Sequence, residues 1–452
     1  MNRIDNFTEG RIVAPLIRFA LPVLLALFLQ TMYGAVDLLV VGQFGGELSD
    51  VYVSAVATGS QMMLTLTMLI TGLAMGLTVY VGRKIGEGQA EEAGSIIGSG
   101  IWLFGILSIL LTIAVTTCAA PLARLMHAPE EAFDATVSYV VLCSAGMIFI
   151  VAFNLLGSIF RGIGDSKVPL ITVSIACVLN IGGDLLLVAG LSMGSAGAAI
   201  ATVFAQAVSV LLSLLIIRRR TLPFRFSAKS LHPCWAHIRQ ILTLGVPIAL
   251  QELLVSISFL VITAIVNGLG VTASAGVGVA EKLCGFLMLV PSAYMQSMSA
   301  FVAQNIGAGK PDRASKALWC GIGTSLIVSV FVCVVTFFRG DLLAAIFSKD
   351  PEVILAAADY LKAYALDCLL TSFLFCFIGY FNGCGCTTFV MLQGIIGAFG
   401  IRLPVSWFMS RIVPVSLFRI GLATPASTIV QIALCTVFYL FLRRRQRTKQ
   451  PL

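Results

Sequence analysis

Long apolar runs separated by short polar intervals set the pattern of this chain from Ala14 onward. Twelve runs read as helices, at roughly 14–42, 51–80, 95–117, 134–157, 168–190, 195–217, 240–268, 272–302, 317–338, 354–379, 388–411 and 417–442. A helix rising 1.5 Å per residue needs about 20 apolar residues to cross a hydrocarbon core about 30 Å thick, and these runs reach that length. The weak segments of about 10 alternating residues that mark a membrane barrel are not the pattern here. Helices are predicted, because they pair their backbone polar groups within the segment. The first run contains Pro22 and continues past Val40, too long for the apolar region of a cleaved leader, so it is expected to remain as the first span. The predicted fold class is an all-α polytopic membrane protein with twelve transmembrane helices.

Composition sharpens this. The 452 residues are 58% hydrophobic and 11% charged, with a mean hydropathy of +0.99, against about 25% charged in ordinary soluble domains. The longest polar interval, 218–239, is too short to fold alone. The net charge of +8 raises the question of nucleic acid, but its placement points to topology. Arg218, Arg219, Arg220, Arg225, Lys229 and Arg239 fill the central connection, and Arg443, Arg444, Arg445, Arg447 and Lys449 follow the last run. With the N-terminus in the cytoplasm, 21 of the 29 lysines and arginines fall on inside segments and five outside (Arg124, Arg339, Lys349, Arg411, Arg419). The remaining three, Lys282, Lys362 and Arg402, lie within spans. Positive charge concentrates on the cytoplasmic side, so both termini are expected there, in a multi-pass protein of the inner (plasma) membrane with no nucleic-acid partner.

The chain also repeats itself. Residues 77–93 read LTVYVGRKIGEGQAEEA and residues 298–314 read MSAFVAQNIGAGKPDRA, an offset of 221 that pairs Ile85-Gly86 with Ile306-Gly307 and Gly88 with Gly309. The same offset lays Phe160-Arg161-Gly162-Ile163-Gly164 over Phe381-Asn382-Gly383-Cys384-Gly385. At an offset of 225, Pro22 pairs with Pro247 and Gln206 with Gln431. Six predicted helices separate the copies, so the halves enter the membrane in the same sense, as parallel repeats around a cleft suited to alternating access. The expected organisation is a six-helix lobe over 1–217, a cytoplasmic basic connection over 218–239, a second six-helix lobe over 240–442 and a basic tail over 443–452.

Candidate chemistry is sparse. Most of the twelve cysteines lie inside apolar runs, where thiols act as small hydrophobes. Cys384 and Cys386 lack the further ligands of a zinc site, and His127, His232 and His237 form no cluster. No nucleophile–base pair is apparent, so the chain is not expected to be an enzyme or to need a cofactor beyond an ion. The residues that cost energy are acids inside spans, at about 2.5–3.5 kcal/mol each on insertion scales. Asn180 and Asp184 share a face of the fifth helix, Asp184 about 24 Å along it. Asp37 lies late on the first helix and Thr202 near the outer end of the sixth. Two carboxylates, an amide and a hydroxyl suit a small hard cation or a shared proton, or else a polar tie between helices. The second half has no copy: by the offset of 221, Asn180 faces Ile401 and Asp184 faces Val405. There Glu252, Glu281 and Asp367 fall near mid-depth and form a possible second acidic site.

These residues resemble the multidrug and toxic compound extrusion (MATE) family over nearly the whole chain. The resemblance rests on the proline-bearing first helix with Asp37, the paired I-G-x-G loops, the Arg161–Asp165 run R-G-x-G-D, and Leu179-Asn180-Ile181-Gly182-Gly183-Asp184 followed by Gly197-Ala198-Ala199-Ile200-Ala201-Thr202. It implies a MATE-like fold and a secondary antiporter that exports small organic, often cationic, drugs or metabolites. It also implies that Asp37, Asn180, Asp184 and Thr202 bind the coupling Na+ or H+. Glu252 and Asp367 look like acids some relatives use, but Ala363 stands where those relatives carry a tyrosine, with Tyr364 one residue off. The expected partners are an organic substrate, the coupling cation and the bilayer, with the chain a monomer. A major-facilitator transporter would need an Asp-Arg pair that the stretch from Val81 to Gly88 lacks. A lipid-linked sugar flippase of the same superfamily is the alternative, and would be expected to line its cleft with several cationic residues.

Overall fold

The computed structural model describes residues 7–220 and 228–448. Arg3, Arg225 and Lys449 therefore lie outside the described residues, as do the side chains of Lys229 and Arg447 and parts of the 218–239 and 443–452 segments.

Among the described residues the regular structure is entirely helical. The first half comprises α1 (Val13–Phe44), α2 (Ser49–Gly86), α3 (Ala90–Leu125), α4 (Phe133–Ala145), α5 (Met147–Gly162), α6 (Lys167–Asp184) and α7 (Gly194–Arg219). The second comprises α8 (Trp235–Asn267), α9 (Val271–Leu287), α10 (Leu289–Gly307), α11 (Pro311–Ala344), α12 (Pro351–Gly383), α13 (Thr387–Ile395), α14 (Leu403–Met409), α15 (Leu417–Gly421) and α16 (Ala423–Thr448). One turn of π-helix, Leu185–Gly190, extends α6, and another, Ile396–Arg402, joins α13 to α14. By length and composition eleven segments can cross a membrane, and the pair α4–α5, bent by 54°, makes the twelfth. The twelve predicted helices correspond to these in order. Several run well past the predicted ends, because polar termini such as Arg83-Lys84-Ile85-Gly86 stay helical beyond the apolar stretch.

The bend between α4 and α5 falls at Gly146, where a Cβ would run into the Val203 side chain. Glycine at a helix break lets the two pieces and α7 meet. At the offset of 221 the corresponding residue is Asp367, and there α12 continues unbroken.

The chain divides into two compact units. The first holds residues 7–9, Arg18–Ala249 and Ala303–Gly309, and the second Gly10–Ile17, Leu250–Val302 and 310–448. The division falls inside α1, α8 and α10. The first core gathers Val41, Leu77, Val81, Ile96, Phe104, Tyr139, Met147 and Phe160 around α2. The second gathers Ile262, Val277, Ala280, Tyr360, Leu361, Tyr364 and Ile420 around α12. These central helices are the most enclosed, with 61% and 67% of their apolar windows buried, and most of the other spans keep a face for lipid.

The repeat is visible in the backbone. Gly88 and Gly309 have φ of +75° and +68°, and Gly164 and Gly385 have φ of +88° and +80°, so both glycine pairs end a helix in the left-handed conformation that side chains disfavour. Within the first unit the two I-G-x-G loops also pack reciprocally. A Cβ on Gly86 would collide with the Gln304 carbonyl, and one on Gly307 with the Arg83 carbonyl. Gln304 Nε2 reaches on to the Gly162 carbonyl at 2.9 Å.

The packing sets a test. Gly86→Val must displace backbone, which costs about 1–3 kcal/mol or more in close-packed interiors. Gly88→Asn adds an αL-tolerant residue where nothing lies within 4 Å. Thermal melts of the purified protein should show a large drop for the first and a small one for the second; equal drops would refute the loop packing.

Candidate cation site

The site is assembled by three helices of the first unit. Asp165 anchors one of them: its Oδ1 accepts from the Lys167 and Val168 amides at 2.9 and 3.2 Å, capping α6. Its Oδ2 takes Arg220 Nη1 from the end of α7 at 2.6 Å. An aspartate satisfying open helix-terminal amides and a guanidinium together fixes α6 against α7. Farther along, α7 presents the small residues of the Gly197–Ala201 run, and a Cβ on Gly183 of α6 would press on Ala201. Close approach of small residues brings polar side chains of neighbouring helices within reach of each other.

Those side chains are the predicted ones. Asn180 Nδ2 donates to Thr202 Oγ1 at 3.3 Å, and Thr202 Oγ1 donates to Asp37 Oδ2 at 3.3 Å. Asp184 sits beside them as an electrostatic neighbour of Asp37. It is the last α-helical residue before the π turn, a local form often found at functional sites. Asp37, Asn180 and Asp184 are at most 4% exposed. Yet Asp37 Oδ1, Asn180 Oδ1 and both Asp184 oxygens have no hydrogen-bond partner. Four buried acceptors facing no donor are an arrangement that a bound proton or small cation would complete, since buried polar atoms otherwise carry a desolvation cost.

A small enclosed cavity adjoins this set, lined by Tyr33, Phe153, Asn180, Thr202, Ala205 and Gln206 among others. Its room is about 10 Å³, the lower limit for a single water-sized occupant. Tyr33 and Gln206 did not figure among the sequence candidates. Each lies four residues from one that did, Tyr33 before Asp37 and Gln206 after Thr202, hence on the same helix face. That spacing was the available signal. Gln206 Oε1 adds a fifth buried acceptor without a donor.

The second unit differs. Glu281 accepts from Thr263 Oγ1 at 2.9 Å, while exposed Lys282 points elsewhere. Asp367 is buried with Oδ1 unpartnered, and Glu252 is half-buried. Glu281 and Asp367 are both electrostatic neighbours of Cys284; among the described residues of either unit no group of three His, Cys, Asp or Glu side chains is placed to hold a metal ion. Of the three basic residues inside spans, Lys282 and Lys362 are exposed and Arg402 alone is buried. Arg402 Nη1 donates to Ser258 Oγ at 3.1 Å and its guanidinium lies 4.4 Å from the Phe259 ring centre. Its Nε has no partner, and Asp367, Tyr360 and Tyr364 are its electrostatic neighbours. In the sequence Arg402 stands out only as one of three basic residues within spans.

Twelve apolar spans with a buried, donor-poor oxygen cluster in one lobe define a polytopic membrane transporter. The MatE family model matches residues 22–186 and 247–408, one match per half and again 225 residues apart at their starts. The chain belongs to this family, which comprises multidrug efflux transporters rather than enzymes. It is 27% identical over 401 residues to the probable multidrug resistance protein YpnP of Bacillus subtilis, covering 88% of this chain and 85% of that one. It is 28% identical over 372 residues to the FAD transporter of Shewanella oneidensis, covering 79% of each. A solved outward-facing multidrug resistance MATE family transporter of the MOP superfamily shares the fold, with a TM-score of 0.90 at 20% identity over 98% of both chains.

The geometry implies a trade of stability for function. An unpaired buried carboxylate is destabilising by about 1–3 kcal/mol or more, so Asp184→Asn should raise the melting temperature of purified protein in sodium-free buffer at alkaline pH. A lowered melting temperature would show that Asp184 is a structural tie.

Proposed function

We propose that this protein is a secondary active antiporter that exports small organic drugs or metabolites in exchange for Na+ or H+. The observation that supports this most is the set of buried acceptors on Asp37, Asn180 and Asp184 that lack donors. Three helices converge there on two 3.3 Å contacts through Thr202 and the approach of Asp37 to Asp184 and Asn180.

The mechanism follows from linkage. Two carboxylates side by side in a low-dielectric interior repel each other, and one bound cation or proton removes most of that repulsion. A conformation with the site closed is then favoured by the ion, and one with the site open to water by its absence. An ion shifts the balance between the two only by its difference in affinity for them. Entry from outside biases the protein toward releasing substrate outward, and loss to the cytoplasm resets it. The ion alone serves as cofactor. We place both termini in the cytoplasm, from the charge bias of the connections, and take the monomer as the working unit.

The second lobe contributes a fixed charge. Arg402 is tethered near Asp367, so we assign no mobile ion to Glu252, Glu281 or Asp367. The flippase alternative asks for several cationic residues turned inward, and among the described residues the spans enclose Arg402 and, at the end of α5, Arg161, while Lys282 and Lys362 are exposed.

Dye efflux in everted vesicles tests the reading. Asp37→Asn and Asp184→Asn should each lower efflux at least tenfold at unchanged membrane expression, and Asp367→Asn much less. Imposed sodium and proton gradients, applied separately to wild type, identify the coupling ion. Normal efflux by both first-lobe variants would defeat the assignment.

A further inference from the structure

The coupling site occupies one end of the α6–α7 pair, and the other end of the same pair carries a groove that the transport reading does not use. It is lined by Ile171, Leu212, Leu215, Ile216, Arg219 and Arg220, with a volume of about 440 Å³. Its floor is apolar and open to the outside, with Ile171 46% and Leu215 50% exposed. Both lie within spans, so what covers them is acyl chain. The rim has the opposite character. Arg219 is exposed and has no ion-pair partner among the described residues. Lys167, exposed and four residues before Ile171, stands on the same face of α6 one turn nearer the rim. Asp165 is the carboxylate at this end, and Arg220 already holds it at 2.6 Å. Three basic groups against one acid leave an uncompensated positive rim above an apolar trough.

We propose that this groove binds an anionic phospholipid, with its phosphate on Arg219 and Lys167 and an acyl chain along Ile171, Leu212 and Leu215. Basic pockets between membrane helices attract acidic headgroups, at about 1 kcal/mol per basic residue near the surface. Neither half of the match suffices alone: a free phosphate would leave the trough empty, and a neutral lipid would leave the rim uncompensated. The position gives occupancy a consequence. The lipid charge sits next to the Arg220–Asp165–α6 contact, and α6 carries Asn180 and Asp184. A bound acidic lipid therefore braces the helix that positions the coupling residues.

Binding is measured on the purified full-length chain, independently of transport. Phosphatidylglycerol added in detergent should raise the melting temperature by several degrees and persist as a bound adduct in native mass spectra. Phosphatidylcholine and inorganic phosphate should do neither. Arg219→Gln with Lys167→Gln should weaken phosphatidylglycerol binding at least fivefold, and Ile171→Trp, which fills the trough and keeps the charges, should weaken it similarly. Arg411→Gln, an exposed basic residue on another loop, serves as control and should bind like wild type. The double variant is compared with wild type in phosphatidylcholine to separate lipid loss from misfolding. Equal stabilisation by phosphatidylcholine, saturation by phosphate alone, or undiminished phosphatidylglycerol binding in the double variant would overturn the proposal. So would a dimer that dissociates on Ile171→Trp, because a second copy would then occupy the groove.

Discussion

The structure turns on the cost of placing a carboxylate where water does not reach. Hydrocarbon forces every backbone amide and carbonyl into a helix, which fixes the architecture, and it makes each buried side-chain oxygen without a donor a liability. Asp184 is fully buried with both oxygens unpartnered. A protein could remove that liability with one leucine. Retaining it beside Asp37 makes sense when another species completes the site for part of a cycle, and the neighbouring cavity has room for a body the size of one water molecule. Everything that holds α1, α6 and α7 together, from the Asp165 cap to the small residues of the α6–α7 crossing, keeps that incomplete site closed.

Duplication accounts for the frame, and departures from it mark the chemistry. The left-handed glycines recur at the offset of 221 with nearly the same φ, because each of these turns ends its helix in a conformation that side chains disfavour. The spans between them are freer. The π turn begins eighteen residues into the span opened by Lys167 but nine residues into the one opened by Thr387. The glycine that bends the α4–α5 span is replaced by Asp367 in a continuous α12. Each difference changes which side chains face a lobe interior.

Much of this was legible in the sequence, for physical reasons. Apolar runs of spanning length identify helices because hydrocarbon admits little else, and the i, i+4 spacing of Asn180 and Asp184 puts them on one face. That Asp37 and Thr202 join them depended on a contact 165 residues apart in sequence, which spacing alone cannot give; the broken symmetry of the repeat pointed to it. The bend at Gly146 was hidden, since glycine is common in membrane helices that stay straight. Tyr33 and Gln206 were passed over because neither is charged, and cost in the membrane was the criterion. The second-lobe acids show the limit of that criterion. Depth groups Glu252, Glu281 and Asp367, whereas helix rotation decides what each one meets, and Glu281 accepts from Thr263.

Arg402 gives the asymmetry its simplest electrostatic meaning. In one lobe, Asp37 and Asp184 lie side by side among buried acceptors that lack donors. In the other, a guanidinium that stays protonated at any physiological pH is held by Ser258 and the Phe259 ring with Asp367 as its charged neighbour. Aromatic contact and one hydroxyl offset only part of the cost of burying that charge, and no carboxylate touches it within ion-pair distance among the described residues. A tethered charge cannot dissociate, so Arg402 cannot itself be the species a gradient moves. Two halves of one duplicated bundle therefore differ in what their interiors hold, side-by-side carboxyls in the first and a buried guanidinium in the second.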